Sequence, residues 1–187
     1  MNRRAFIGLA GAATALSGLG ALLAPQPAQA DTAKQIDAGA DAALQRFYQK
    51  VIGGEAFIQS AKGALVFPKL VKAGIGIGGE YGEGALRIAG KTTDYYSATA
   101  ASIGLQLGAQ TRSVVIAFLQ DSALDQFRAA SGWTAGINGS IALIDVGDSG
   151  AITTDTIKDP IVYFAFDNRG LMFNLSLEGT KFSKIVR

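Results

Sequence analysis

Histidine and cysteine are both absent from this 187-residue chain, and only 17% of its residues are charged. The two zeros exclude more chemistry than any percentage does. Without either residue there is no zinc-finger ligand set, no Cys-His or Ser-His nucleophile system and no thiolate redox pair. No disulfide forms and no N-terminal cysteine carries a lipid, so stability has to come from a packed core. An excess of one charge is missing too. The formal net charge is +2, but Arg3 and Arg4 lie in residues 1–30, which hold no acid; setting that pair aside lowers the 17 bases to the number of acids, 15. A neutral chain has no global field for nucleic acid, and no nucleic-acid partner is expected. What the chain has in quantity is hydrophobic residues, 49%, and glycine, 24 in number. Its length suits one domain around one core.

Residues 1–30 read as an address. Arg3-Arg4-Ala5-Phe6-Ile7 precedes a mild apolar run that ends at Ala24; Pro25 and Pro27 break it, and Ala28-Gln29-Ala30 supplies a small-x-small exit. A basic end, an apolar middle and an A-x-A exit define an export signal, and the paired arginines point to the twin-arginine route. Cleavage is expected after Ala30, which makes residues 31–187 a single mature domain in the periplasm or outside the cell. The competing reading is a retained anchor, since the run is just long enough to span a bilayer.

The mature chain opens helical and then turns to strands. Ile36, Ala40, Leu44, Phe47, Tyr48 and Val51 recur at helical spacing up to about Ile52, with Asp31 or Thr32 as cap and Gly53-Gly54 as stop. A short helix is expected over Glu55–Ala61 and another around Leu124–Arg128. Between and beyond them the strand signals are Ala64–Phe67, ended by Pro68, then Val71–Tyr81, Ala85–Ala89, Tyr95–Gln110, Ser113–Leu119, Trp133–Asp145 and Ile161–Asp167. Leu171–Glu178 is expected to pair with the last of these through a turn at Asn168-Arg169-Gly170. Strands that follow one another without crossover helices favour antiparallel pairing. The fold class is therefore α+β: an antiparallel sheet curled into a barrel or sandwich, with helices against it.

Several motifs imitate chemistry without supporting it. Gly74-Ile75-Gly76-Ile77-Gly78-Gly79 satisfies G-x-G-x-x-G, but the Glu80-Tyr81-Gly82-Glu83-Gly84 that follows is hostile to both a helix and a phosphate. A Gly-dense strand pair with close backbones is the better account. Gly147-Asp148-Ser149-Gly150 echoes a serine-protease signature but has no histidine to serve as base. Asp145, Asp148 and Asp155 miss the spacing of a regular calcium loop, so no metal is expected. Ser60 and Lys62 are too close in sequence to meet as a dyad. Glu80 and Glu83 are the only plausible catalytic carboxylates, and no enzyme activity and no cofactor are expected.

The most distinctive block starts with lysine. Lys62, Lys69 and Lys72 fall within eleven positions, just ahead of a glycine ladder that runs to Gly84. Gly104-Leu105-Gln106-Leu107-Gly108-Ala109-Gln110 and Ser176-Leu177-Glu178-Gly179 continue the same small-and-apolar style. Together the three blocks resemble the SYLF domain family, over roughly Gly39 to Phe182, in what looks like a bacterial exported single-domain branch. One departure lies at Ala165–Asn168. Relatives often read Tyr-Ser-x-Ser-Arg there, whereas this chain reads Tyr163-Phe164-Ala165-Phe166-Asp167-Asn168-Arg169.

The resemblance implies lipid binding. Eukaryotic members recognise phosphoinositide membranes, and some bind actin, a partner not expected for an exported bacterial chain. The partner implied here is a phospholipid or another amphiphile, with a membrane surface as its setting. From the residues alone, Lys62, Lys69 and Lys72 are candidate lipid-phosphate contacts, with Arg87 and Arg112 as lesser ones. Each also reads as an exposed strand residue. The opening helix, with acids set against bases, is expected to pack on the sheet rather than on a membrane. Trp133 reads as core or sheet-edge filler. An envelope structural or protein-interaction domain remains the alternative.

Overall fold

In the computed structural model, which describes residues 31–146, 150–151, 159–170, 177 and 179–187, the chain opens with helix α1, Ala33–Lys50. Arg3, Arg4, the exit at Ala30, residues 147–149, Asp155 and residues 171–176 lie outside the described residues. Thr32 caps α1. Its hydroxyl accepts from the Gln35 amide while the Gln35 side chain accepts from the Thr32 amide, which satisfies two donors that no helical carbonyl reaches. Ile36, Ala40, Ala43 and Phe47 form the buried stripe, so the helix is packed on the sheet as its spacing predicts. Its C-cap is Val51, at the start of β1 (Val51–Ile52), two residues before the glycine pair. Gly53, at φ 81°, instead opens α2 (Gly54–Ser60).

Two very long strands dominate the sheet. β2 (Gly63–Ile88) and β3 (Lys91–Phe118) form one antiparallel hairpin, paired from Ile88↔Lys91 at the turn to Gly63↔Phe118 at the far end. The sequence reading divides β2 at Pro68 and at Gly82-Glu83-Gly84, and β3 at Thr111-Arg112. In the structure those positions bend the strands without ending them. β2 folds back on itself around Gly74–Gly78: a Cβ on Gly74 would lie 2.3 Å from the Gly78 Cα, and one on Gly84 would lie 2.5 Å from the Val66 carbonyl oxygen. The hairpin thus has two limbs stacked backbone to backbone, joined at an apex.

The other strands complete each limb. β7 (Ile161–Gly170) pairs with Gln110–Phe118 of β3, and β8 (Lys181–Ile185) pairs with Tyr95–Thr99. β5 (Ala142–Asp145) lies parallel to β7 beyond it, and β4 (Trp133–Thr134) lies beyond β8. Trp133–Asp145 is therefore two strands on different limbs, not one. β6 (Gly150–Ala151) pairs parallel with β1. The strand β7 also continues through Asn168-Arg169-Gly170, where the sequence suggests a turn; the expected partner strand falls mostly outside the described residues. The class is the expected one: α+β, with a mostly antiparallel sheet curled into a half-barrel.

Both faces of the first limb are buried. Leu65, Phe67, Val114, Ile116 and Tyr163 point into the curl with Trp133, Phe182 and Phe127 of helix α3 (Asp121–Ala129). Val66, Val115, Ala117, Val162 and Phe164 point the other way, onto α1 and α2. Burial on both sides explains why these strands read as continuous apolar runs rather than alternating ones.

Candidate functional site

Both neighbours of β3 bulge at the same level. On one side Phe67 pairs with Val114 and Leu70 with Arg112, which leaves an extra residue at Pro68-Lys69. On the other, Phe166 pairs with Ser113 and Arg169 with Thr111, which leaves one at Asp167-Asn168. Pro68 has no N–H for the ladder, and Asp167 adopts a left-handed φ of 56° that side chains rarely take. Two bulges facing each other across Arg112-Ser113 open the sheet.

The opening is a cleft of about 410 Å³ on the α1 side, lined by Arg46, Lys69, Thr111, Arg112, Ser113, Asp167 and Arg169 with Pro68. Arg46 Nε donates to Asp167 Oδ2 at 2.7 Å and Lys50 Nζ lies 3.1 Å from Asp167 Oδ1. The Ser113 hydroxyl donates to the Pro68 carbonyl at 2.8 Å. Lys69 and Arg169 have no carboxylate partner among the described residues. One acid, already shared between two cations, faces an excess of positive charge and two hydroxyls. Such a set suits an anion.

Beneath the cleft lies a buried ion pair. Arg112 Nη2 donates to both oxygens of Glu80, at 2.6 and 2.8 Å, with side chains 4% and 6% exposed. The guanidinium carbon sits 6.0 Å from the centre of the Tyr163 ring, and Arg112 Nε has no hydrogen-bond partner among the described residues. Since Glu80 belongs to the second limb of β2 and Arg112 to the first limb of β3, the pair ties the limbs together.

The expected lysine cluster does not assemble. Lys69 lies seven extended steps beyond Lys62, about 23 Å, and Lys62 pairs with Asp121 of α3 at 3.4 Å. Lys72 shares its register row with Gln110, one row from Thr111 and Arg169 and so on the opposite face. Arg87 is not part of the cleft. It lies 2.8 Å from Asp41 and 3.7 Å from Asp37 of α1, beside a separate cavity of about 540 Å³ lined by Leu44, Tyr48 and Ile58. Of the five candidates only Lys69 and Arg112 share the cleft. Arg46, Thr111, Ser113, Asp167 and Arg169 join them unforeseen. The one sequence signal for this gathering is Pro68 inside a strand.

Two carboxyls beside arginines carry a pH dependence. Burial raises Asp167, but hydrogen bonds and charge from Arg46 and Lys50 outweigh it and hold the carboxyl below its ordinary value. Burial likewise raises Glu83, and Arg187 together with the Tyr81 hydroxyl (2.5 Å) brings it lower. A carboxyl depressed in the folded state contributes stability above its unfolded value, and that contribution is lost as pH falls through the folded value. Thermal midpoints are therefore expected to be flat near neutrality and to fall below about pH 4. Glu83→Gln should flatten that acid limb; an unchanged limb would count against the assignment.

Residues 99–185 match the family model Ysc84, described as "Las17-binding protein actin regulator". A comparison with curated proteins finds no match. The matched stretch includes most of β3, the whole of β7 and β8, and Arg112 and Arg169 of the cleft. Among the described residues no group of acids is placed to hold a metal.

Proposed function

We propose, from the match of residues 99–185 to the Ysc84 (SYLF) family model, a lipid-binding domain without catalytic activity, working on anionic phospholipid at the bacterial envelope. The family supports a lipid- or actin-related role. The paired arginines of the leader, with export and cleavage after Ala30, favour a periplasmic or secreted setting in which lipid is the available partner. The observation that carries the reading is the cleft, where Lys69 and Arg169, with no carboxylate partner among the described residues, stand beside Thr111 and Ser113. A phosphate diester matches that set: it accepts from guanidinium, ammonium and hydroxyl together, and it needs no base.

Co-sedimentation with phosphatidylcholine–phosphatidylserine vesicles tests this. Lys69→Gln with Arg169→Gln is expected to weaken binding by about 2 kcal/mol at low salt, at about 1 kcal/mol for each cation near an anionic surface. Moderate salt should remove much of the difference, because exposed charges are screened within about 8–10 Å. The control is Lys34→Gln with Lys91→Gln, an equal charge change; Lys34 lies about 18 Å along α1 from Arg46. Equal losses in both pairs would reduce the site to net charge. Absence of vesicle binding by the wild type would transfer the weight to a protein-interaction domain.

A further inference from the structure

We propose that the apex of the folded β2–β3 hairpin is a membrane wedge that seats in the interface of an anionic bilayer, with the two sheet limbs supplying a collar for the headgroups. The proposal rests on the lipid reading above and assigns how the domain meets the bilayer.

No charged residue occurs in 73–79 or in 100–110, the two strand segments that form the apex. They are built of glycine, alanine, isoleucine and leucine with a few uncharged polar residues. Ile77, at the fold, is 74% exposed; Ile52 and Ile137 are similarly exposed elsewhere in the chain, and what sets Ile77 apart is its place on an uncharged ribbon. Solvent gains nothing from a large exposed apolar side chain at the tip of an uncharged ribbon.

Where the apex meets the limbs, charge and aromatic residues return in a repeated pattern. On the solvent face of the first limb one register row reads Val71, Thr111, Arg169; on the second limb the row at the same distance reads Tyr81, Thr99, Lys181. Each row sets an exposed apolar or aromatic side chain, a threonine and a cation side by side. Val71 is 39% and Tyr81 50% exposed. Each row stands five residues from Gly76, the middle of the fold, about 17 Å of strand. An aromatic ring, hydroxyls and cations suit the headgroup zone, while the uncharged tip suits the layer below it. Charge complementarity thus commits the surface to an anionic membrane. Insertion must be shallow. The outer edges of the apex strands are unpaired among the described residues, and open strand edges do not enter hydrocarbon.

The chain has no cysteine, so Ile77→Cys carries a single environment-sensitive fluorophore, and Lys91→Cys, at the opposite end of the hairpin, carries the control. With phosphatidylcholine–phosphatidylserine vesicles, the label at 77 should brighten several-fold and be quenched by lipids with spin labels near the headgroup, while the label at 91 stays unchanged. Ile77→Asp should weaken co-sedimentation about tenfold with the circular dichroism spectrum intact. A label at 77 that remains in water while the protein co-sediments overturns the wedge and leaves surface binding through the cleft standing. Brightening with protein concentration alone, without vesicles, assigns the apex to a second copy and overturns the wedge as well. Absence of co-sedimentation by the unmodified protein overturns both the wedge and the lipid reading.

Discussion

Glu80→Gln is expected to destabilise the domain by about 3–5 kcal/mol, the range for removing one partner of a buried ion pair. The amide keeps the shape of the side chain but leaves the Arg112 guanidinium charged, buried and without its counter-ion. Desolvation of that lone charge, rather than loss of attraction, sets the size of the effect. Arg112→Met should cost a comparable amount through the stranded Glu80 carboxylate. The informative variant is the double one. Glu80→Leu with Arg112→Met removes both charges and is expected to recover most of the loss, since apolar replacements of buried pairs are often neutral. Urea midpoints at constant slope measure all three. If the double variant is as unstable as the sum of the singles, the pair is not the tie between the limbs that the geometry describes.

The glycines of the fold-back carry the second large effect. Gly84→Ala would drive a Cβ to 2.5 Å from the Val66 carbonyl oxygen and 2.7 Å from the Phe67 ring; Gly82→Ala would meet the Lys69 carbonyl oxygen at 2.4 Å. Backbone oxygens cannot swing away as a flexible side chain does, so the limbs must part. The expected cost is about 3 kcal/mol for each, the upper end of overpacking. Gly79→Ala serves as the control. Its Cβ would find only the Ala100 carbonyl oxygen, at 3.7 Å, and its stability should stay near that of the wild type. A neutral Gly84→Ala would mean that the limbs are not in backbone contact.

The sequence by itself determined the class of the protein and much of its local structure. The spacing of Ile36, Ala40 and Phe47 specified a packed helix, and Thr32 marked its start, because helix periodicity and caps are local. The absence of histidine and cysteine removed whole chemistries without any structure. The ordered blocks carried the family resemblance, which the match over residues 99–185 bears out across the two of them at 104–110 and 176–179. Strand limits were not legible: glycine and Pro68 signal interruption, whereas here they mark bends in strands that continue. The site was legible only in part. Nearness in sequence suggested that Lys62, Lys69 and Lys72 act together, but an extended chain separates residues by about 3.3 Å each and alternates their faces. Only the tertiary structure decided that Lys69 meets Arg169 and Arg46, from three elements far apart in sequence, because two bulges on different strands coincide at Arg112-Ser113. Register between distant strands is set by the packing of the whole sheet, and no local signal in the chain encodes it.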